Sequence, residues 1–115
     1  MINTRRKGWL NKDKCIKLHE SEGWLCDTVE KTGKFQKQKD MFGLWDIVCI
    51  KKHTVKFAQI TSNRPHTHLP YVSFAKQFAH KHLLLEQWIW YDRKGWIVFK
   101  YLWNGKKVKE DKRKS

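Results

Sequence analysis

Asp46, Gln59 and Thr61 are the residues of this chain best suited to do chemistry. They sit in two apolar, strand-like segments, "LWDIVCIK" (44–51) and "VKFAQIT" (55–61). Burying a carboxylate, an amide or a hydroxyl is costly unless the group is paired or used. Side chains two apart on a strand share a face, so Gln59 and Thr61 point the same way. A hairpin register with Val48 opposite Gln59 would set Asp46 opposite Thr61. It would gather a carboxylate, an amide oxygen and a hydroxyl at one end of the hairpin. Oxygen donors of this kind suit Mg²⁺, which takes one or two carboxylates and keeps several waters. Three readings follow: a metal site, the remains of one, or a polar patch at the edge of a sheet.

Other chemistries have less support. No GxxxxGK[ST], GxSxG or HExxH occurs, so nucleotide hydrolysis, serine esterase chemistry and zinc proteolysis lack their motifs. "HTH" (66–68) and "HKH" (80–82) each set two histidines two apart. On a helix His80 and His82 would not face each other. His66 and His68 could chelate from a loop, but zinc needs further ligands that the spacing does not supply. Cys15, Cys26 and Cys49 form no CxxC pair and fall in apolar-periodic contexts. They read as buried free thiols of a reducing, cytoplasmic compartment. Trp88, Trp90, Trp96 and Trp103 invite a base-stacking reading. Apolar residues on both strand faces favour core instead, and an exposed Trp among them would reopen the question.

The elements that must position these groups follow from pattern. Residues 1–8 read as a basic arm. Asn11 can cap a helix running to about Ser21, and Gly23 suits its stop. Residues 24–31 alternate as a strand, and the charged, Gly-containing stretch 32–40 reads as a loop. Segments 44–51 and 55–61 form a hairpin. Residues 62–70 are a loop, and Pro70 starts a second helix reaching about Leu83. "LEQWIWYD" (85–92) and "WIVFKYLW" (96–103) form a second hairpin. The expected order is α-β-β-β-α-β-β, an α/β sandwich around a mixed sheet. Residues 1–105 are expected to form one domain, and 106–115 a disordered basic tail.

The charge bounds the partners. The chain has 115 residues, with 25 Lys and Arg against 11 acids, for a formal charge of +14. Self-repulsion on that scale costs a small domain stability. A polyanionic partner explains it, with nucleic acid first and an anionic membrane surface second. No apolar run is long enough to span a bilayer, and the start lacks the apolar core of a secretory signal. Lys31, Lys34, Lys37 and Lys39 surround Phe35 in "KTGKFQKQKD" and read as a backbone-contacting cluster. Arg5, Arg6 and Lys7 form a second such cluster.

With the element order, "FGLWDIVCI…FAQITS" (42–62) resembles the PD-(D/E)xK phosphodiesterase superfamily, whose fold is restriction-endonuclease-like. Within it the chain is most similar to archaeal Holliday-junction resolvases and to small phage or bacterial proteins with a "DxFGxxDxxxI…QVTS" pattern. The resemblance covers about residues 7–103. It implies an αβββαβ core, a mixed sheet flanked by helices, with a C-terminal hairpin added. It implies that Asp46 holds Mg²⁺ or Mn²⁺, and that Gln59 stands for the Glu of the E-x-K element. Thr61 falls where that element has its Lys, and Lys12 near where resolvases carry a helix-borne Glu. Asp40, six residues before Asp46, is a candidate second carboxylate. The missing cation would have to come from elsewhere, with Lys12 and Lys76 as candidates. Gly33 and Lys34 resemble a flexible basic loop that such enzymes set against DNA.

The resemblance thus implies a metal-dependent endonuclease that hydrolyses DNA phosphodiester bonds, with branched DNA as substrate and a homodimer as the assembly. A catalytically degenerate DNA-binding protein of the same fold is the first alternative. An RNA-binding or interaction protein using basic arms is the second. A short, Lys-rich and Trp-rich chain also suits a phage-encoded, cytoplasmic origin.

Overall fold

The computed structural model describes residues 4–29, 31–33, 36–38 and 41–113, with side chains for 10–29 and 41–113. Asp40, Lys34 and Lys39 lie outside the described residues, as do the side chains of Arg5, Arg6, Lys7, Lys31 and Lys37.

The chain opens with α1 (Thr4–Ser21), longer than expected at its start. Residues 4–8 are helix and not an arm, because Arg and Lys are good helix formers and extend a helix anchored further along. Asn11 is therefore not a cap. It is buried mid-helix, and its Nδ2 donates to Ser62 Oγ at 2.5 Å. The stop is at the expected glycine. Gly23 takes φ +94°, its N–H bonds Glu20 C=O and the Trp24 N–H bonds His19 C=O, both at 3.0 Å. That pair of bonds is a Schellman closure, which needs a left-handed residue at this point.

Strands β1 (Leu25–Thr28), β4 (Ile47–Lys51) and β5 (Thr54–Ser62) form an antiparallel meander. Between β1 and β4, the stretch expected as a loop carries a separate two-stranded ladder, β2 (Lys31–Gly33) and β3 (Gln36–Gln38). Helix α2 (Leu69–Phe78) then crosses to β6 (Leu83–Tyr91), which pairs parallel to β5. A parallel pair requires such a crossover. Helix α2 ends before the expected Leu83. The parallel ladder begins at Val55 and Leu83, so Leu83 has to be strand. His80 and His82 lie in the turn between, not on a helix.

Strands β7 (Gly95–Tyr101) and β8 (Lys107–Asp111) complete a six-stranded mixed sheet of order β1-β4-β5-β6-β7-β8. Strand β8 corrects the expectation of a disordered tail. Its side chains are nearly all charged, which suits an exposed edge but leaves no apolar period to read. Its backbone completes the outer side of β7, and Lys100 Nζ reaches Glu110 Oε2 at 2.9 Å.

The sheet separates two cores by residue parity. Cys15 of α1 packs with Ile47, Cys49, Ala58, Ile60, Trp88 and Val98. Tyr71 and Ala75 of α2 pack with Trp45, Leu85 and Tyr101, beside Phe57 and Phe99. Neighbours along one strand thus serve opposite helices. The cysteines are free thiols. Among the described residues, no helix is long and apolar enough to cross a membrane.

Candidate functional site

Asp46 is held between two anchors. Before it, a tight turn closes with the Met41 N–H bonded to Trp45 C=O at 2.7 Å. Phe42 and Gly43 in that turn take φ of +57° and +72°, a strained conformation for a bulky side chain. Trp45 is fully buried, with ring centroids 5.2 Å from Tyr71, 5.6 Å from Phe74 and 6.3 Å from Phe57. After Asp46, Ile47 is buried in the opposite, α1-side core. The backbone at Asp46 has little freedom left.

The hairpin register differs from the expected one. Val48 pairs with Phe57, not Gln59, and Lys51 with Thr54. Asp46 therefore does not lie opposite Thr61. The connection is the two-residue turn Lys52–His53, in which His53 takes φ +68°. Ile47 pairs with Ala58, and the Asp46 N–H also bonds Ala58 C=O at 2.9 Å. Two residues against one is the count of a β-bulge, which re-aims a side chain. Asp46 Oδ2 accepts the Ile60 N–H at 3.2 Å. The carboxylate thus reaches β5 midway between Gln59 and Thr61.

Gln59 and Thr61 share the Phe57 face of β5. Asp46, Gln59 and Thr61 are 8%, 5% and 9% exposed. Gln59 Oε1 and Thr61 Oγ1 are buried without a hydrogen-bond partner among the described residues. Such an acceptor costs about 1–3 kcal/mol. Gln59 lies level with Gln87 on β6, but Gln87 is engaged elsewhere. Its Oε1 accepts the His66 N–H at 2.5 Å, and its Nε2 donates to Tyr101 Oη at 2.7 Å. A carboxylate, an amide oxygen and a hydroxyl are donor types that fit Mg²⁺ or Mn²⁺. Asp46 is the carboxylate of that set, and no cluster of three or more His, Cys, Asp or Glu able to hold a metal occurs among the described residues. Trp45 Nε1, a donor, is also buried without a partner, and a cation could not serve it.

The two lysines considered as replacement cations sit on different helices, Lys12 on α1 and Lys76 on α2, on opposite sides of the sheet. Lys12 lines a small cavity with Asp13, Ile16 and Thr28. Thr28 pairs with Ile47, next to Asp46. Lys76 instead lies against Gly105, at the turn between β7 and β8. The "HTH" histidines do not chelate together. His66 Nδ1 is 3.1 Å from Tyr71 Oη, and His68 Nδ1 is 2.8 Å from Tyr101 Oη. Burial, helped by Lys107, pushes the His68 pKa down.

A second polar cluster, on the α1 side, was not singled out from sequence. Lys56 Nζ lies 3.2 Å from Glu86 Oε1 and 3.2 Å from His19 Nε2, all three buried. His19 Nδ1 donates to Cys15 C=O at 2.8 Å, so Nε2 carries the lone pair that accepts from Lys56. Trp88 Nε1 donates to Glu86 Oε1 at 2.8 Å, and the ammonium lies 4.6 Å from the Trp24 ring. The available signal was parity: Lys56 shares a strand face with Ala58 and Ile60.

This cluster predicts a pH dependence. Burial pushes His19 below its ordinary 6.5, against the pull of the Cys15 carbonyl and with the push of Lys56. The unfolded chain then binds the proton more readily. This stability is whole above pH 6.5 and is lost as pH falls through the folded value. Urea midpoints should therefore drop from neutral pH to about pH 5, and His19→Gln should flatten part of that slope. An identical slope in the variant would show that His19 does not titrate this way.

Compared with known proteins, the chain matches no family model and no curated protein.

Proposed function

We propose that this chain is a DNA-binding domain with a restriction-endonuclease-like αβββαβ core, and that Asp46 is the centre of a metal-dependent phosphodiesterase site. The single observation that carries the site is the bonding of Asp46 across to the Ile60 amide, beside two buried oxygens that lack donors. The element order supports the core: a helix, an antiparallel meander, a crossing helix and a parallel strand. The +14 charge supports the partner.

Asp46, Gln59 and Thr61 would hold Mg²⁺ or Mn²⁺, with Asp40 as a candidate fourth oxygen donor. When bound, the ion would neutralise phosphate charge and activate water. The protein's own part is to fix the carboxylate through the bulge and the Ile60 amide. Thr61 cannot supply the cation, and Lys12 on α1 is the candidate that would have to reach the site from the other side of the sheet.

A second reading, DNA binding without cleavage, is favoured by a specific observation. The buried lysine of β5 is Lys56, which belongs to the opposite core and is engaged by Glu86 and His19.

Binding is tested by its salt dependence. The logarithm of affinity for duplex DNA should fall linearly with the logarithm of salt, by about 0.9 per phosphate contacted. Replacing Lys31 and Lys37 together should reduce that slope by about 2. Salt-independent binding, or none, would refute the nucleic-acid reading. Tighter binding of RNA at matched salt, without a metal effect, would favour an RNA-binding protein instead.

A further inference from the structure

Trp103 stands at the turn between β7 and β8 with 69% of its surface exposed, whereas Trp88 and Trp96 are buried. The turn is fixed. The Leu102 N–H bonds Lys106 C=O and the Gly105 N–H bonds Leu102 C=O, both at 2.9 Å. Gly105 takes φ +85°, and the Lys76 side chain from α2 lies against it. A rigid turn thus holds a large aromatic face in water.

Beside it a cavity of about 330 Å³ opens between the end of α2, β6 and β7. Its wall includes Trp103, Leu102, Leu83, His80, Lys81 and Lys100. The volume is at the small end of ligand pockets. Lys100 is taken by Glu110. Lys76, Lys81 and Lys106 have no carboxylate within ion-pair distance among the described residues. An apolar wall with one exposed ring, Lys81 in the wall and Lys76 and Lys106 at the adjacent turn complements a flat, apolar ring carried on an anionic backbone.

We propose that this turn is a stacking site for an unpaired nucleobase, with the indole taking the base and the surrounding lysines its flanking phosphates. The proposal rests on the nucleic-acid reading above and specifies its substrate as single-stranded or locally unpaired. Paired bases hide their faces, so intact duplex cannot use the ring. The turn is separate from Asp46. Leu83 is level with Val55, whereas Asp46 bonds Ile60, which is level with Trp88, about 16 Å further along the strands.

The test is fluorescence anisotropy at matched salt, with labelled oligothymidylate and a blunt duplex of equal length. Trp103→Ala should weaken oligothymidylate binding about tenfold and duplex binding by no more than about twofold. Trp103→Phe should restore most of the loss. Equal losses on both substrates, or none, would overturn the stacking site without bearing on the nucleic-acid reading itself. Failure of the unaltered protein to bind either substrate would overturn the nucleic-acid reading and the stacking site together.

Discussion

Glu86→Ala is expected to lower the unfolding free energy by about 3–5 kcal/mol, the usual cost of removing one partner of a buried ion pair. The substitution leaves the Lys56 ammonium in the α1-side core, beside neutral His19 and the rings of Trp24 and Trp88. It also removes the acceptor of the Trp88 indole N–H. The loss comes mainly from the charge left behind and less from attraction forgone. Replacing both members by apolar residues of similar volume, Lys56→Met with Glu86→Leu, should therefore cost much less than Glu86→Ala alone. Urea denaturation of the single and double variants checks this. A Glu86→Ala loss under about 1 kcal/mol would mean that the pair behaves like a solvated one.

The second large effect concerns Asp46, where two roles overlap and can be separated. Asp46→Ala removes the charge and also strands the Ile60 N–H, which should cost about 1–3 kcal/mol of stability. Asp46→Asn keeps an oxygen for that amide and removes only the charge. If Asp46 holds a metal, cleavage should fall by on the order of 10²–10³ in both variants, the range seen when one charge-stabilising group is lost. Stability should fall chiefly in the alanine variant. Equal cleavage by Asp46→Asn and the unaltered protein would leave Asp46 as a structural residue that ties β4 to β5.

Much of this architecture was legible in the residues. Period-two runs identified the meander and the β6–β7 hairpin, and Gly23 marked the end of α1. The register was not legible, for a physical reason. A slip of two residues keeps every side chain on its face, so patterning cannot separate Val48 opposite Gln59 from Val48 opposite Phe57. The turn decides it, and Lys52–His53 has neither the Gly nor the Asn that would announce it. Strand β8 was hidden because a charged edge strand looks like a solvated tail.

The candidate site was legible in part. Asp46 and the 59–61 stretch do come together, but through a bulge and a backbone amide that no spacing reveals. Asn11 resembled a cap because its type suits one, whereas its amide instead ties α1 to Ser62. The Lys56–Glu86–His19 cluster depends on strand register between distant segments, and pairing of that kind is invisible before the sheet is built.

The most direct test of the proposed site is cleavage of labelled duplex, single-stranded and four-way-junction DNA with Mn²⁺ or with EDTA, run beside Asp46→Asn. Products should appear only with the metal and disappear in the variant. Salt-sensitive binding of all three substrates with no product under any condition would contradict the proposed site, leaving a fold that binds DNA without cutting it.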